Sequence, residues 1–180
     1  MIKITLPDGS VKEFASGVTP MEVAKSISEG LARNVLSASF NNTTVETETQ
    51  LTTDGSLVLY TWNDLDGKKA FWHSTSHVMA QALQEMYPGI KLTIGPAIEK
   101  GFYYDVDFGA HSISDADFKK IEDRVLEIAR EKHEFKMRSV SKAEALAIYK
   151  DNEYKTELIT NLEDGTITFC DHSNFFEYLP

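Results

Sequence analysis

Apolar and polar residues alternate at the beginning of the chain, which predicts short β-strands. Ile2, Ile4 and Leu6 are separated by polar residues, residues 7–10 have the composition of a turn, and the alternation resumes over Val11–Phe14. This pattern predicts two strands that are joined by a tight turn.

A helix is predicted to follow, because Thr19, Pro20 and Glu22 form the signature of a capping box with proline at the first helical position. Two later apolar runs, at residues 36–40 and 57–60, predict further strands. Strands on both sides of one helix describe a small β-grasp (ubiquitin-like) domain, which we place at residues 1–62.

The polar run 63–69 predicts a linker, and residues 70–180 predict a second domain. Its apolar periodicity and turn residues predict helices at about 70–87, 114–132 and 141–149, and strands at about 134–139, 158–159 and 166–170. Helices next to an antiparallel sheet make this unit, and the chain as a whole, α+β.

Composition narrows the class of protein. The formal net charge of −10 leaves neither part of the chain with the broad basic surface that drives non-specific binding to nucleic acid. The single cysteine, Cys170, excludes an intrachain disulfide and agrees with a reducing compartment. With no apolar run of about 18 residues, we expect a cytoplasmic protein with no membrane contact.

The segment 73–77 carries two histidines at positions i and i+4 of a predicted helix, His73 and His77. This spacing puts both imidazoles on the same side of the helix, where they can bind a metal, accept a proton or hold a substrate. The alternative is an ordinary pair on a half-exposed helix face. For Lys155, the sequence pattern alone predicts a solvated lysine on a strand edge.

Three stretches together resemble the amino-terminal region of threonyl-tRNA synthetases. The first is the opening segment 2–10, which is similar to a TGS domain. The second is the run 71–77 around the two histidines, which resembles the first histidine motif of the family's editing domain. The third is the run 94–107, which contains Gly95 and Tyr104.

The resemblance implies a proofreading function: hydrolysis of Ser-tRNA that was made in place of Thr-tRNA. One methyl group changes binding by only about 1–3 kcal/mol, so a second, hydrolytic site has a physical reason to exist. The resemblance assigns His73, His77 and Lys155 to catalysis. We assign Gly95, Tyr104 and Glu177 to substrate binding, and we predict no metal in the site.

The carboxyl end departs from the family pattern. Glu177 stands in place of an aspartate, Leu179 in place of a cysteine, and the chain ends before a third histidine. Both a truncated protein and a natural stand-alone relative fit this end, and we expect the chain by itself to hydrolyse Ser-tRNA slowly or not at all. Two alternatives stay open: a non-catalytic module that binds tRNA or protein, and a zinc-dependent hydrolase that uses the histidine pair with Cys170 and His172.

The resemblance also implies properties of the parent enzyme. It would ligate threonine to its tRNA with ATP, and its catalytic core would use magnesium and zinc. Its partner would be threonine-specific tRNA, and it would form a homodimer through regions outside this chain. We expect no cofactor within the 180 residues.

Overall fold

The computed structural model describes the backbone of residues 1–179 and the side chains of residues 1–178. Pro180 and the Leu179 side chain, and with them the predicted replacement of the family cysteine, lie outside the described residues. Backbone contacts divide the chain into two compact units, Met1–Trp72 and the residues from His73 onward. No helix within the described residues is long and apolar enough to cross a membrane.

The first unit contains a five-stranded sheet and two short helices. The strands are β1 (Ile2–Thr5), β2 (Val11–Phe14), β3 (Ser37–Phe40), β4 (Thr43–Val45) and β5 (Gly55–Tyr60), and the helices are α1 (Pro20–Ile27) and α2 (Glu29–Ala32). The strand order is β2-β1-β5-β3-β4, with β1 and β5 parallel and the other pairs antiparallel. Val23 of α1 packs with Ile4 and Leu57 of the sheet, and all three side chains are fully buried.

The predicted capping box is present at the beginning of α1. The Thr19 hydroxyl accepts a hydrogen bond from the Glu22 backbone N–H at 3.2 Å, and the Glu22 carboxylate accepts one from the Thr19 N–H at 2.9 Å. Two backbone donors that the helix cannot satisfy internally are thereby paired.

The second unit combines helices with small antiparallel sheets. Its helices are α3 (Leu65–Met86, which begins in the first unit), α4 (Asp115–Glu131), α5 (Lys142–Ile148) and α6 (Glu153–Thr160). Its strands are β6 (Lys91–Leu92), β7 (Ala97–Ile98), β8 (Gly101–Phe102), β9 (Val106–Asp107), β10 (Lys136–Val140), β11 (Ile167–His172) and β12 (Phe175–Leu179). The sheets pair β10-β11-β12, β6-β9 and β7-β8.

Two local predictions differ from the structure. Residues 65–69, predicted as linker, form the first turns of α3, because a polar run without proline and with Asp66 in the first turn also suits a helix start. The strand predicted at 158–159 is part of helix α6.

Candidate functional site

The two histidines of α3 are in direct contact. His73 Nε2 and His77 Nε2 lie 3.0 Å apart, so one of these nitrogens carries a hydrogen and the other accepts it. His77 is buried and His73 is half-buried. Between them, the buried Ser76 hydroxyl donates to the His73 carbonyl at 2.7 Å. The helix thus presents a hydrogen-bonded imidazole pair with one member nearer to solvent.

A buried ion pair lies beside the histidines. Lys155 Nζ is 2.8 Å from Glu177 Oε1, and both side chains are at most 3% exposed. The Tyr104 hydroxyl donates to the same carboxylate oxygen. The rings of Tyr149 and Tyr178 lie about 6 Å from the Lys155 ammonium, a distance at which aromatic rings attract a cation. Glu177 is therefore bound by two donors from distant parts of the sequence.

The helical position of Lys155 explains its burial. The Asn152 side chain caps α6 by accepting from the Lys155 N–H at 3.1 Å, and its amide group donates to the Leu92 carbonyl at 2.8 Å. These bonds fix the first turn of α6 against the strand β6. The prediction of a solvated strand-edge lysine is wrong, because the asparagine cap and the long-range bond to Leu92 favour a helix here.

Gly95 and Tyr104 form a close contact on another side of the site. A Cβ atom on Gly95 would overlap the Tyr104 ring. Glycine at this position therefore lets the ring approach the backbone, and from there its hydroxyl reaches Glu177.

All six site residues predicted from the sequence line one small cavity of about 10 Å³, enough for roughly one water molecule. The lining residues are His73, Ser76, His77, Ile94, Gly95, Tyr104, Lys155, Glu177 and Tyr178. The sequence did not predict Ser76, Ile94 and Tyr178 as site residues. Ser76 lies between the two histidines, which is a signal that could have found it, whereas Tyr178 carries no such signal.

Burial controls the ionisation of this cluster. Burial lowers the pKa of His77 to about 3, helped by the nearby His73, His172 and Lys155, and it also lowers the pKa of His73. Burial lowers the pKa of Lys155 to about 7 and raises the pKa of Glu177 to about 8. The histidines are therefore neutral at pH 7. Lys155 and Glu177 both have a pKa that burial brings close to neutral pH.

The polar atoms next to the histidine pair bear on which imidazole donates the hydrogen bond between His73 and His77. His77 Nδ1 lies 3.7 Å from Glu177 Oε2, and neither atom has a hydrogen-bond partner among the described residues. The tautomer with its hydrogen on His77 Nδ1 would direct that hydrogen towards this carboxylate oxygen, and His77 Nε2 would then accept from His73 Nε2. In this arrangement His73 Nδ1 is left as the proton acceptor at the more exposed end.

Cys170 and His172 lie on β11 and are both buried, as two residues spaced i, i+2 on a strand can be. The His172 ring packs against Phe135 and Phe175 and lies 6.3 Å from the His77 ring. Within residues 1–178, no group of three or more histidine, cysteine, aspartate or glutamate side chains is arranged to hold a metal ion. These donors therefore do not fit a zinc site.

Comparison with known protein families identifies the class of domain to which the first unit belongs. Residues 2–61 match the family model of the TGS domain, so the first unit is a TGS domain, and the predicted β-grasp and α+β class are confirmed.

The particular relatives are threonine–tRNA ligases. The chain is 79% identical over 175 residues to that of Flavobacterium psychrophilum and 80% identical over 175 residues to that of Flavobacterium johnsoniae. It is 50% identical over 177 residues to that of Cytophaga hutchinsonii. Each match covers 97% of this chain and 27% of the relative, so the chain spans about a quarter of the length of these proteins. The resemblance to threonyl-tRNA synthetases is confirmed.

Proposed function

We propose that the second unit is the proofreading part of a threonine–tRNA ligase and hydrolyses the ester of Ser-tRNA. The observation that supports this most strongly is the meeting of His73, Lys155 and Glu177 at one cavity. These side chains come from α3, α6 and β12 and are far apart in the sequence. Buried titratable groups gathered in this way are typical of catalytic sites.

Ester hydrolysis needs a base for the attacking water and a positive or donating group for the developing oxyanion. His73 and His77 are neutral at pH 7, and His73, which is nearer to solvent, can accept a proton from the attacking water. Glu177 faces His77 Nδ1 and orients the pair. Lys155 in its protonated form stabilises the oxyanion, and its pKa of about 7 keeps both of its forms populated. Gly95 and Tyr104 shape the wall that the substrate would meet.

The other parts of this proposal concern the whole protein. It would attach threonine to its tRNA in the cytoplasm, as a homodimer, with ATP and metal ions that activate the amino acid in another part of the chain. We propose no role for the two units of this chain in that activation step. Threonine-specific tRNA is the expected partner of both units.

Two other functions compete with this proposal. A non-catalytic module would bind tRNA and leave the ester intact. A zinc-dependent hydrolase would need a third ligand next to the histidine pair, and the described residues offer none in a suitable group.

Deacylation of Ser-tRNA and Thr-tRNA tests the proposal. The assay compares the 180-residue chain with a version extended by the corresponding segment of the Flavobacterium johnsoniae ligase. We expect the extended protein to hydrolyse Ser-tRNA faster than Thr-tRNA, and His77→Ala to slow it by on the order of 10²-fold. His133→Ala, at an exposed position, is the matched control. Binding of tRNA without any hydrolysis would favour the non-catalytic module.

A further inference from the structure

Tyr149, at the end of α5, contacts both elements that carry the buried Lys155–Glu177 pair, although it does not line the histidine cavity. Its carbonyl oxygen accepts hydrogen bonds from the Asn152 N–H at 2.8 Å and from the Thr156 hydroxyl at 2.9 Å. Both donors belong to the beginning of α6. The backbone of Tyr149 is therefore fixed against the turn of helix that carries Lys155.

The Tyr149 ring is part of the wall around the Lys155 ammonium. The ring centroid lies 5.8 Å from Lys155 Nζ, and that of Tyr178 lies 5.9 Å from it. Tyr149 and Lys155 both line a second, larger cavity of about 480 Å³, yet Lys155 is only 2% exposed. Because burial lowers the pKa of Lys155 to about 7, side chains that exclude water from the ammonium control its charge.

The Tyr149 hydroxyl contacts the strand that carries Glu177. It accepts a hydrogen bond from the Tyr178 N–H at 3.1 Å. Strand β12 lies at the edge of the sheet β10-β11-β12, and an N–H on the outer side of an edge strand has no neighbouring strand to accept it. The hydroxyl supplies this acceptor. Since Tyr178 directly follows Glu177, the bond fixes the backbone that presents the carboxylate to Lys155.

We propose that Tyr149 is a positioning residue of the candidate site, whose ring excludes water from the Lys155 ammonium and whose hydroxyl holds the strand of Glu177 in place. Any effect on hydrolysis rests on the proposed proofreading function, whereas the positioning itself is a property of the folded chain. The titratable groups that face the ammonium are Glu177, His77 and the phenols of Tyr149 and Tyr178. Of these, Glu177 titrates nearest to Lys155, so the two must be followed by separate signals.

An NMR titration of the 180-residue protein tests the role of the ring, with the Cε signal of Lys155 and the Cδ signal of Glu177 read separately. Tyr149→Leu lets water approach the ammonium, so the pKa of Lys155 should rise from about 7 by about one pH unit or more towards the ordinary lysine value. Tyr149→Phe keeps the ring and should change this pKa much less. Tyr87→Leu, which truncates a partly buried tyrosine packed on Phe108 in another cluster, is the matched control and should leave it unchanged.

Hydrogen exchange tests the role of the hydroxyl. Tyr149→Phe removes the acceptor at nearly constant volume, so the Tyr178 amide should exchange roughly tenfold faster, while the amides of the central strand β11 keep their rates. This arm remains decisive if Tyr149→Leu proves too unstable to titrate. A wild-type Lys155 pKa in folded Tyr149→Leu, or a wild-type exchange rate of the Tyr178 amide in Tyr149→Phe, would overturn the proposal.

Kinetics of the extended protein connect the positioning to hydrolysis. Tyr149→Leu should lower kcat for Ser-tRNA by on the order of tenfold with little change in KM, because Tyr149 acts through Lys155 and Glu177 and does not line the histidine cavity. An extended wild-type protein without any hydrolysis would contradict the proofreading function alone, since the pKa and exchange measurements do not depend on it.

Discussion

Glu177 is the residue on which the candidate site converges. It accepts from Lys155 and Tyr104 through one oxygen and faces His77 with the other. Three segments of the chain, around His77, Tyr104 and Lys155, therefore contact a single carboxyl group. Removing one partner of such a buried charge pair strongly destabilises the folded protein, because the remaining buried charge is no longer compensated.

The Lys155–Glu177 pair gives the first prediction. Lys155→Met should lower the free energy of unfolding at pH 9, by about 3–5 kcal/mol, because it leaves the ionised Glu177 buried without the amine that donates to it. The loss should be smaller at pH 6, since a carboxyl whose pKa is raised by burial takes up a proton there and becomes neutral. Urea unfolding at pH 6 and pH 9 measures both values.

Two controls make this measurement specific. Adding Glu177→Gln to Lys155→Met should recover part of the loss at pH 9, since no unpaired charge remains. Lys91→Met, which breaks an exposed ion pair with Glu153, should change stability by only about 0–1 kcal/mol. Equal losses for Lys155→Met and Lys91→Met would contradict the buried-charge argument.

Gly95 gives the second prediction. In Gly95→Ala the added methyl group overlaps the Tyr104 ring, so the ring must move away from the backbone. We expect a destabilisation of about 1–3 kcal/mol by thermal unfolding and a change in the Tyr104 ring signals. Gly30→Ala is the matched control, because its new methyl group would meet only Ser28 Oγ at 3.9 Å. A Gly95→Ala protein as stable as Gly30→Ala would mean that the close contact is unimportant.

Elements with strong local signals were predictable from the sequence. Thr19, Pro20 and Glu22 predicted α1 because a capping box is a short-range pattern, and α4 followed from its apolar periodicity. Helix α6 was missed, since its cap, Asn152, gains much of its effect from a bond to Leu92, 60 positions away.

The same limit applied to the candidate site. The histidine pair could be recognised from its spacing within α3. The central role of Glu177 depends instead on contacts with Tyr104 and Lys155, 73 and 22 positions away. No local pattern contains this information, so only the resemblance suggested that Glu177, Tyr104 and Lys155 belong together.

Helix α6 gives the third prediction, at the scale of an element. Asn152→Ala removes both the cap on the Lys155 N–H and the bond to the Leu92 carbonyl. We expect a loss of about 1–2 kcal/mol in the free energy of unfolding. Asn152→Asp keeps the capping oxygen and loses the donor, so its stability should lie between that of the wild type and Asn152→Ala. Hydrogen exchange of the first amides of α6 locates the effect, and a loss spread evenly over the second unit would argue against a capping role.

At the scale of the whole molecule, the two units have different reporter groups. Both tryptophans, Trp62 and Trp72, belong to the first unit, whereas all five histidines belong to the second. Each unit also has its own buried clusters, centred for example on Ile4 in the first and Phe169 in the second. Tryptophan fluorescence therefore reports on the first unit and on the beginning of α3, which carries Trp72, and histidine ring signals report on the second unit.

This separation gives the last prediction, which concerns pH. Burial lowers the pKa of His73, His77 and His172, so the unfolded second unit binds more protons than the folded one below the ordinary histidine pKa of 6.5. The stability that these groups contribute is complete above pH 6.5 and is lost as the pH falls towards 3. Glu177, with its raised pKa, opposes this trend only between about pH 8 and 4.5 and by at most one proton. The second unit should therefore lose stability on acidification, by at most about 1.4 kcal/mol per pH unit for each histidine.

Urea unfolding at pH 7, 6, 5 and 4 checks the sign. The midpoint from the histidine ring signals should fall most steeply at the acid end, where Glu177 no longer opposes the histidines, and that from tryptophan fluorescence should fall less, because the first unit contains no histidine. His77→Gln removes the histidine with the pKa of about 3 and should flatten the decline of the second unit. His111→Gln, at an exposed position and not among the groups that shift the pKa of the buried histidines, should leave the decline as it is. If both variants followed the wild type, or if the two midpoints moved together, His77 would not be the buried, uncharged group that orients the histidine pair.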